Sequence, residues 1–196
     1  MLRCQPPGAP RRDFLGVLLA VTLLGLLPTT VPGAPATAAK RLEYQDARLR
    51  LRFMPRSPQQ IRAFYEARGF PPAALAELAA TCFITVGIRN RSRQVLWHDL
   101  KDWRFTRKGK PLARLLRSHW QRRWEELGIR AGLRATFRWT LLPETLDFQP
   151  DEGEGGNIIL PRGDGPIRIE AVFHTGPHGT GETLRIETGD IPCAVD

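Results

Sequence analysis

Apolar and charged residues alternate most cleanly at 48–53, where Leu49, Leu51 and Phe53 interleave with Arg48, Arg50 and Arg52. A period of two predicts a strand with one wet face. The same period recurs at Cys82, Ile84, Val86 and Ile88, up to the turn Asn90-Arg91-Ser92. It returns at Ala135, Phe137, Trp139 and Leu141, interleaved with Thr136, Arg138 and Thr140, then at Ile167, Ile169, Ala171 and Phe173, and again at Leu184 and Ile186. Shorter runs at 94–98, 102–106 and 157–160 bring the expectation to about eight strands. Helical spacing is confined to fewer places. Ser57-Pro58-Gln59-Gln60 combines an N-cap serine, a first-turn proline and a glutamine that completes a capping box. Ile61, Phe64 and Tyr65 form the stripe of that helix, Gly69 and Pro71 stop it, and an Ala-rich helix follows at 72–80. Leu112, Leu116, Trp120, Trp124 and Leu127 recur at helical spacing over 112–127, ended by Gly128.

Strands and helices do not alternate one for one, which argues against a parallel, doubly wound sheet. Half-buried alternation predicts antiparallel sheets packed face to face. The expected fold is mainly β: an antiparallel β-sandwich, immunoglobulin-like in outline. It carries an inserted helical hairpin at about 58–80 and one further amphipathic helix at 112–127. Residues 39–196 make a single domain, long enough to bury a real core.

Residues 1–38 stand apart. Arg11 and Arg12 precede an uncharged stretch from Phe14 to Leu27, and Ala36-Thr37-Ala38 offers an A-x-A cleavage site. The apolar stretch is shorter than the roughly 20 residues that span a bilayer. Arg11-Arg12, a variable residue, then Phe14 and Leu15 resemble the twin-arginine export signature. The resemblance covers the targeting segment alone. It implies the twin-arginine export machinery as a partner, passage of an already folded protein, and a periplasmic location. A general secretory signal with two arginines is the alternative route to the same side of the membrane. A cleaved signal is the expectation, with retention as an anchor the alternative.

The whole chain carries a net charge of +9; loss of residues 1–38 removes three arginines and one aspartate and leaves +7. Residues 101–138 hold 12 Lys/Arg against three acids, whereas 144–196 hold 11 Asp/Glu against three arginines. Such a bipolar chain favours oriented association with a charged partner. In an exported protein that partner is an acidic protein face or an anionic membrane surface, and not nucleic acid. Arg104, Arg107, Lys108, Lys110, Arg114, Arg117, Arg122 and Arg123 form the candidate docking set. The alternative is that these arginines are the solvated side of a helix whose tryptophans pack inward.

After loss of Cys4, Cys82 and Cys193 remain, in a compartment where disulfides persist. They are either bonded across 111 positions, or Cys82 is a small buried hydrophobe. His174 and His178, with Met54 and Cys82, are the candidate ligands of a copper-type site, although Gly176 and Pro177 forbid the helix that would aim both imidazoles at one ion. The acidic, glycine-rich run 151–157 has calcium-loop ingredients without the EF-hand spacing, and reads better as a flexible loop. His98 with Asp99 and Asp102 has the ingredients of a general base, but no nucleophile motif accompanies it. The expected function is therefore a non-catalytic, exported binding or assembly module without a cofactor. A metal- or cofactor-binding periplasmic protein is the alternative, and a hydrolase the third reading.

Overall fold

The computed structural model describes residues 42–196. The export signature at Arg11, Arg12, Phe14 and Leu15 lies outside the described residues. Four strands form one antiparallel sheet in the order β1 (Leu42–Gln45), β2 (Leu49–Arg56), β3 (Thr81–Asn90) and β8 (Gly153–Pro161). The second sheet is six-stranded. It is built on β9 (Ile167–Thr175), which pairs with β4 (Leu96–Asp99), β5 (Arg104–Arg107) and β10 (Thr183–Glu187); β6 (Lys110–Pro111) and β7 (Thr145–Phe148) flank it. All strand pairings in both sheets are antiparallel. The protein is mainly antiparallel β, as the alternation predicts.

The inner faces of the two sheets meet in one core. Leu49, Leu51 and Phe53 of β2, Cys82, Ile84 and Val86 of β3, and Ile158 and Leu160 of β8 pack against Phe105, Ile169, Ala171 and Phe173 of the other sheet. Four helices cover part of the opposite face of the four-stranded sheet: α1 (Pro58–Glu66), α2 (Pro72–Ala79), α3 (Arg117–Glu126) and α4 (Ala131–Trp139). Their core is aromatic. Tyr65, Phe70, Trp120, Trp124 and Phe137 close over Phe83 and Ile159, which project outward from β3 and β8. The described residues thus form three layers, with the four-stranded sheet in the middle.

Local signals act as expected in the first half. Ser57 Oγ accepts from the Gln60 amide at 3.3 Å, and Gln60 Oε1 accepts from the Ser57 amide at 3.1 Å, so the capping box forms. Gly128 takes a positive φ of 65° immediately after α3, which is the left-handed helix stop that glycine adopts without Cβ strain. Asn90, fully buried at the end of β3, donates through Nδ2 to the carbonyls of Gln94 (2.7 Å) and Phe148 (2.9 Å), while its Oδ1 accepts from Ser92. That side chain ties the turn to the other sheet.

Three expectations are corrected. Residues 135–141 do not form a strand; 131–139 are α4. Leu133 and Phe137 share a face at four-residue spacing, Leu141 joins the same cluster just past the helix end, and burying Phe137 against Trp120 and Trp124 outweighs the β-favouring threonine and aromatic content. The helix expected over 112–127 begins only at Arg117. The Leu112 amide donates to the Phe105 carbonyl and the Leu115 amide to the Ile159 carbonyl, so this stretch runs extended along strand edges. Among the described residues two α-helices therefore lie beyond the hairpin, and α4 falls outside the expected insertions. The run 151–157 is corrected as well: Gly153–Asn157 are part of β8, paired with Thr85–Arg89.

Cys82 and Cys193 come together with Cα atoms 5.4 Å apart, joining the start of β3 to the C-terminal segment as a disulfide. Asp196 strengthens that strap by accepting from the Gln59 amide at 2.6 Å. Closing so long a loop removes denatured-state entropy. Reduction, or Cys193→Ser, is expected to lower the unfolding free energy by about 4–5 kcal/mol. Denaturant midpoints with and without reductant measure this, and equal midpoints would mean that the sulfurs are not joined.

Candidate functional site

The helical layer covers only one end of the four-stranded sheet's outer face. Beyond Phe83 and Ile159 the outward positions become, across the strands, Met54, Thr85 and Asn157, then Arg52, Gly87 and Gly155. Met54, Thr85, Asn157, Gly87 and Gly155 floor a groove of about 700 Å³. One wall is α1, with Gln60, Ala63 and Phe64; the other is the end of α4, with Trp139 and Thr140. Phe64, expected in the buried stripe, is 39% exposed at this wall. Trp139 is 81% exposed, because two steps along a helix turn a side chain about 200° away from buried Phe137.

A hydrogen-bonded spine fixes the floor. Arg56 Nε donates to Thr85 Oγ1 at 2.9 Å, and Thr85 donates to Asn157 Oδ1 at 2.8 Å. A second chain fixes the walls. Thr140 Oγ1 gives its proton to the Phe137 carbonyl at 2.7 Å, so the Tyr65 hydroxyl donates to Thr140 at 2.7 Å. Burial pushes the Tyr65 phenol up to about 12, which keeps it a proton donor throughout the neutral range. Asn157 closes the arrangement: its amide donates to the Thr140 carbonyl at 2.8 Å, and its carbonyl accepts from the Leu142 amide at 3.1 Å. A Cβ on neighbouring Gly156 would overlap the main chain of Leu141 and Leu142, so glycine is required by close backbone approach.

On the far side of Trp139 lies a second hollow of about 360 Å³, lined by Arg117, Arg138, Leu141, Pro143, Glu154 and Gly155. A third, of about 380 Å³, sits above Gly87 among Arg50, Arg52, Arg89 and Glu154. All three recesses meet at Gly155. The surroundings are electropositive. Arg56 and Arg138 have no acidic partner among the described residues, while Arg50 and Arg52 share Glu43.

The eight basic residues expected to dock a partner do not form one face. Arg104, Arg107, Lys108 and Lys110 belong to the β5–β6 hairpin, and Arg117, Arg122 and Arg123 to α3 on the opposite layer. Several are engaged internally. Arg114 makes a two-pronged pair with Glu144 at 2.6 and 3.1 Å and its side chain is only 11% exposed. Arg123 binds Glu77 and Glu126, Arg104 lies 3.9 Å from Glu170, and Arg107 donates to the Pro161 carbonyl at 2.8 Å. The Arg123 guanidinium holds the Glu77 carboxyl below its usual range. Lys108, Lys110 and Arg122 have no acidic partner among the described residues.

The metal-ligand candidates are separated. Met54 lies in the groove, whereas His174 lies on the outer face of the six-stranded sheet, with the inter-sheet core between them. His174 sits opposite Trp97 in the ladder and 3.8 Å from Asp102; the His178 ring is 6.0 Å from Trp97. Cys82 is held by Cys193. Among the described residues no three His, Cys, Asp or Glu side chains gather to hold an ion. His98 is 3% exposed among Trp103, Phe148 and Phe173, and neither ring nitrogen has a hydrogen-bond partner. Its neighbours Asp99 and Asp102 turn instead to Lys101 and His174. The groove residues Gly87, Gly155, Trp139 and Arg138 escape a sequence reading because their chemistry depends on rotation and register, although glycines inside an apolar run do signal close approach.

No family model matches the chain, and no curated protein matches it. One solved structure, a candidate lipoprotein from Bacillus subtilis, is similar at 9% identity with a TM-score of 0.38, over 78% of this chain and 39% of that one. This chain therefore spans less than half of that protein's length. At that TM-score the likeness carries no argument. Among the described residues no helix is long and apolar enough to cross a membrane.

Burial pushes the His98 imidazole down to about 4 from 6.5, so the fold requires the neutral ring. Acidification through that window protonates the unfolded chain first and draws the protein towards unfolding. Stability should be complete above about pH 6.5 and fall by on the order of 3 kcal/mol near pH 4. His98→Leu should flatten that limb in pH-dependent chemical denaturation; an unchanged slope would place the titration elsewhere. Gly156→Ala should cost upwards of about 2 kcal/mol by the same measurement, since main chain has to shift, and a neutral result would remove the close-approach account.

Proposed function

We propose that the protein is an exported, non-catalytic binding module that docks an acidic segment of a partner protein in the groove between α1 and α4. One observation carries the reading: a fixed polar spine and a glycine floor hold open a recess walled by exposed Phe64 and Trp139. Large apolar side chains kept in water beside a preformed groove mark interaction sites. Of the eight basic residues expected to dock a partner only Arg117 borders these recesses; Arg56 and Arg138, which were not in that set, supply the other charges beside them. The paired cysteines support export, because disulfides persist outside the cytoplasm. No separate observation favours the metal or hydrolase readings.

The test replaces Trp139 with a photo-crosslinking phenylalanine analogue in the full chain, expressed in its own host. Exposed Val195 carries the same analogue as control. The expected result is one discrete adduct at position 139, its cross-linked peptide rich in Asp and Glu, weakened by salt and lost with Arg56→Glu and Arg138→Glu together. An adduct indifferent to charge reversal, or no adduct above that at Val195, overturns the proposal.

A further inference from the structure

The edge of β8 is covered along only part of its length. Its inward-bonding positions pair with β3, as the Asn90 amide to the Glu152 carbonyl shows at 2.9 Å. Alternation then turns the main-chain groups of Gly153, Gly155, Asn157 and Ile159 towards the open side of the sheet. Asn157 is covered by Thr140 and Leu142, and the Ile159 carbonyl by the Leu115 amide at 2.9 Å. Gly153 and Gly155 have no main-chain partner on that side among the described residues. Only a carboxylate reaches them: Glu154 Oε1 accepts from the Gly155 amide at 2.9 Å, where the carbonyl of an added strand would sit.

We infer that the partner segment binds as an added β-strand along Gly153–Gly155, with acidic side chains at every second position meeting Arg138 and Arg117. The inference rests on the groove-docking reading and gives it a mode. Bare amide and carbonyl groups at a sheet edge are matched by another peptide backbone, and a lipid surface offers no such ladder. Glycines remove the side chains that would hinder approach. Arg138, which has no acidic partner among the described residues, Arg117, whose Nε lies 4.0 Å from Glu144, and exposed Trp139 line the hollow beside the edge; Glu154 is the one acid of that lining, so the incoming strand is the acidic member. A three-residue edge spans roughly 10 Å, long enough for two or three residues to pair before side chains enter the groove.

The probe is the hexapeptide acetyl-Glu-Val-Glu-Val-Glu-Val-amide, compared with acetyl-Glu-Glu-Glu-Val-Val-Val-amide, which has the same charge and composition. The full chain is titrated at low salt while amide hydrogen exchange is followed by NMR. The alternating peptide is expected to bind about tenfold more tightly than the block peptide, because a strand sends alternate side chains to one face. Exchange should slow about tenfold or more at Gly153 and Gly155, while the amides of Glu154 and Gly156, already bonded to β3, stay unchanged. Arg138→Glu should abolish the preference. Binding without protection at Gly153 and Gly155 overturns strand addition and leaves groove docking standing. Equal or absent binding of both peptides overturns strand addition, and the cross-link at Trp139 then judges groove docking by itself. A dimer seen by sedimentation without peptide, protected at the same two amides, assigns the edge to a second copy and overturns the inference. So does binding to phosphatidylglycerol vesicles in place of peptide.

Discussion

Phe83 and Ile159, side by side on the outer face of the middle sheet, set the limit of the aromatic core. Tyr65 stands 6.1 Å from Phe83 and 5.7 Å from Phe137, so α1 and α4 are both drawn onto that end of the sheet. Their anchorage stops at the next row of side chains, where Tyr65 binds Thr140 and Asn157 holds the chain after α4. Beyond it the sheet has no apolar outward residue left to bury. The groove is thus the margin of the core, held open by the same contacts that close the core behind it. A change that loosened Phe137 would be felt in the position of Trp139 two residues on.

The strand pattern was legible because one face of nearly every strand meets the inter-sheet core, and period two survives wherever one face is dry. Leu49, Leu51, Phe53, Ile84, Val86, Ile169 and Phe173 all lie where that pattern puts them. The capping box at Ser57 was equally legible, being a local hydrogen-bond motif. The misreading at 131–141 has a physical source. Phe137, Trp139 and Leu141 fit period two, while Leu133, Phe137 and Leu141 fit the helix, and only contact with Trp120 and Trp124 chooses between them. Leu112 fits a helix that begins only at Arg117, with Leu116 as its N-cap, because strand edges take up the amides of Leu112 and Leu115. Neither choice is encoded within the segment itself.

Charge counted along the chain overstated the basic face for a similar reason. Arg114 meets Glu144 across 30 residues, and Arg123 meets Glu77 across 46. Such pairs are invisible to a window of sequence. They convert an apparent surface charge into links between layers, worth little individually where exposed and more at largely buried Arg114. What remains without an acidic partner beside the groove, among the described residues, is Arg56 and Arg138, while Arg117 lies 4.0 Å from Glu144.

Glycine content of the floor separates structural need from functional room. Gly156 is required by the main chain of Leu142, and a Cβ at Gly155 would press on the Val86 carbonyl at 2.9 Å. Gly87 is different. Its φ is not in the left-handed region, and an added Cβ would meet only the Arg52 Cβ at 3.9 Å, an ordinary contact. Neither conformation nor packing asks for glycine there, and glycine weakens a strand interior through lost entropy and lost packing. The one thing its absent side chain preserves is open floor between Met54, Trp139 and the bare edge of β8. A strand that accepts that cost at the centre of a groove keeps the groove open there.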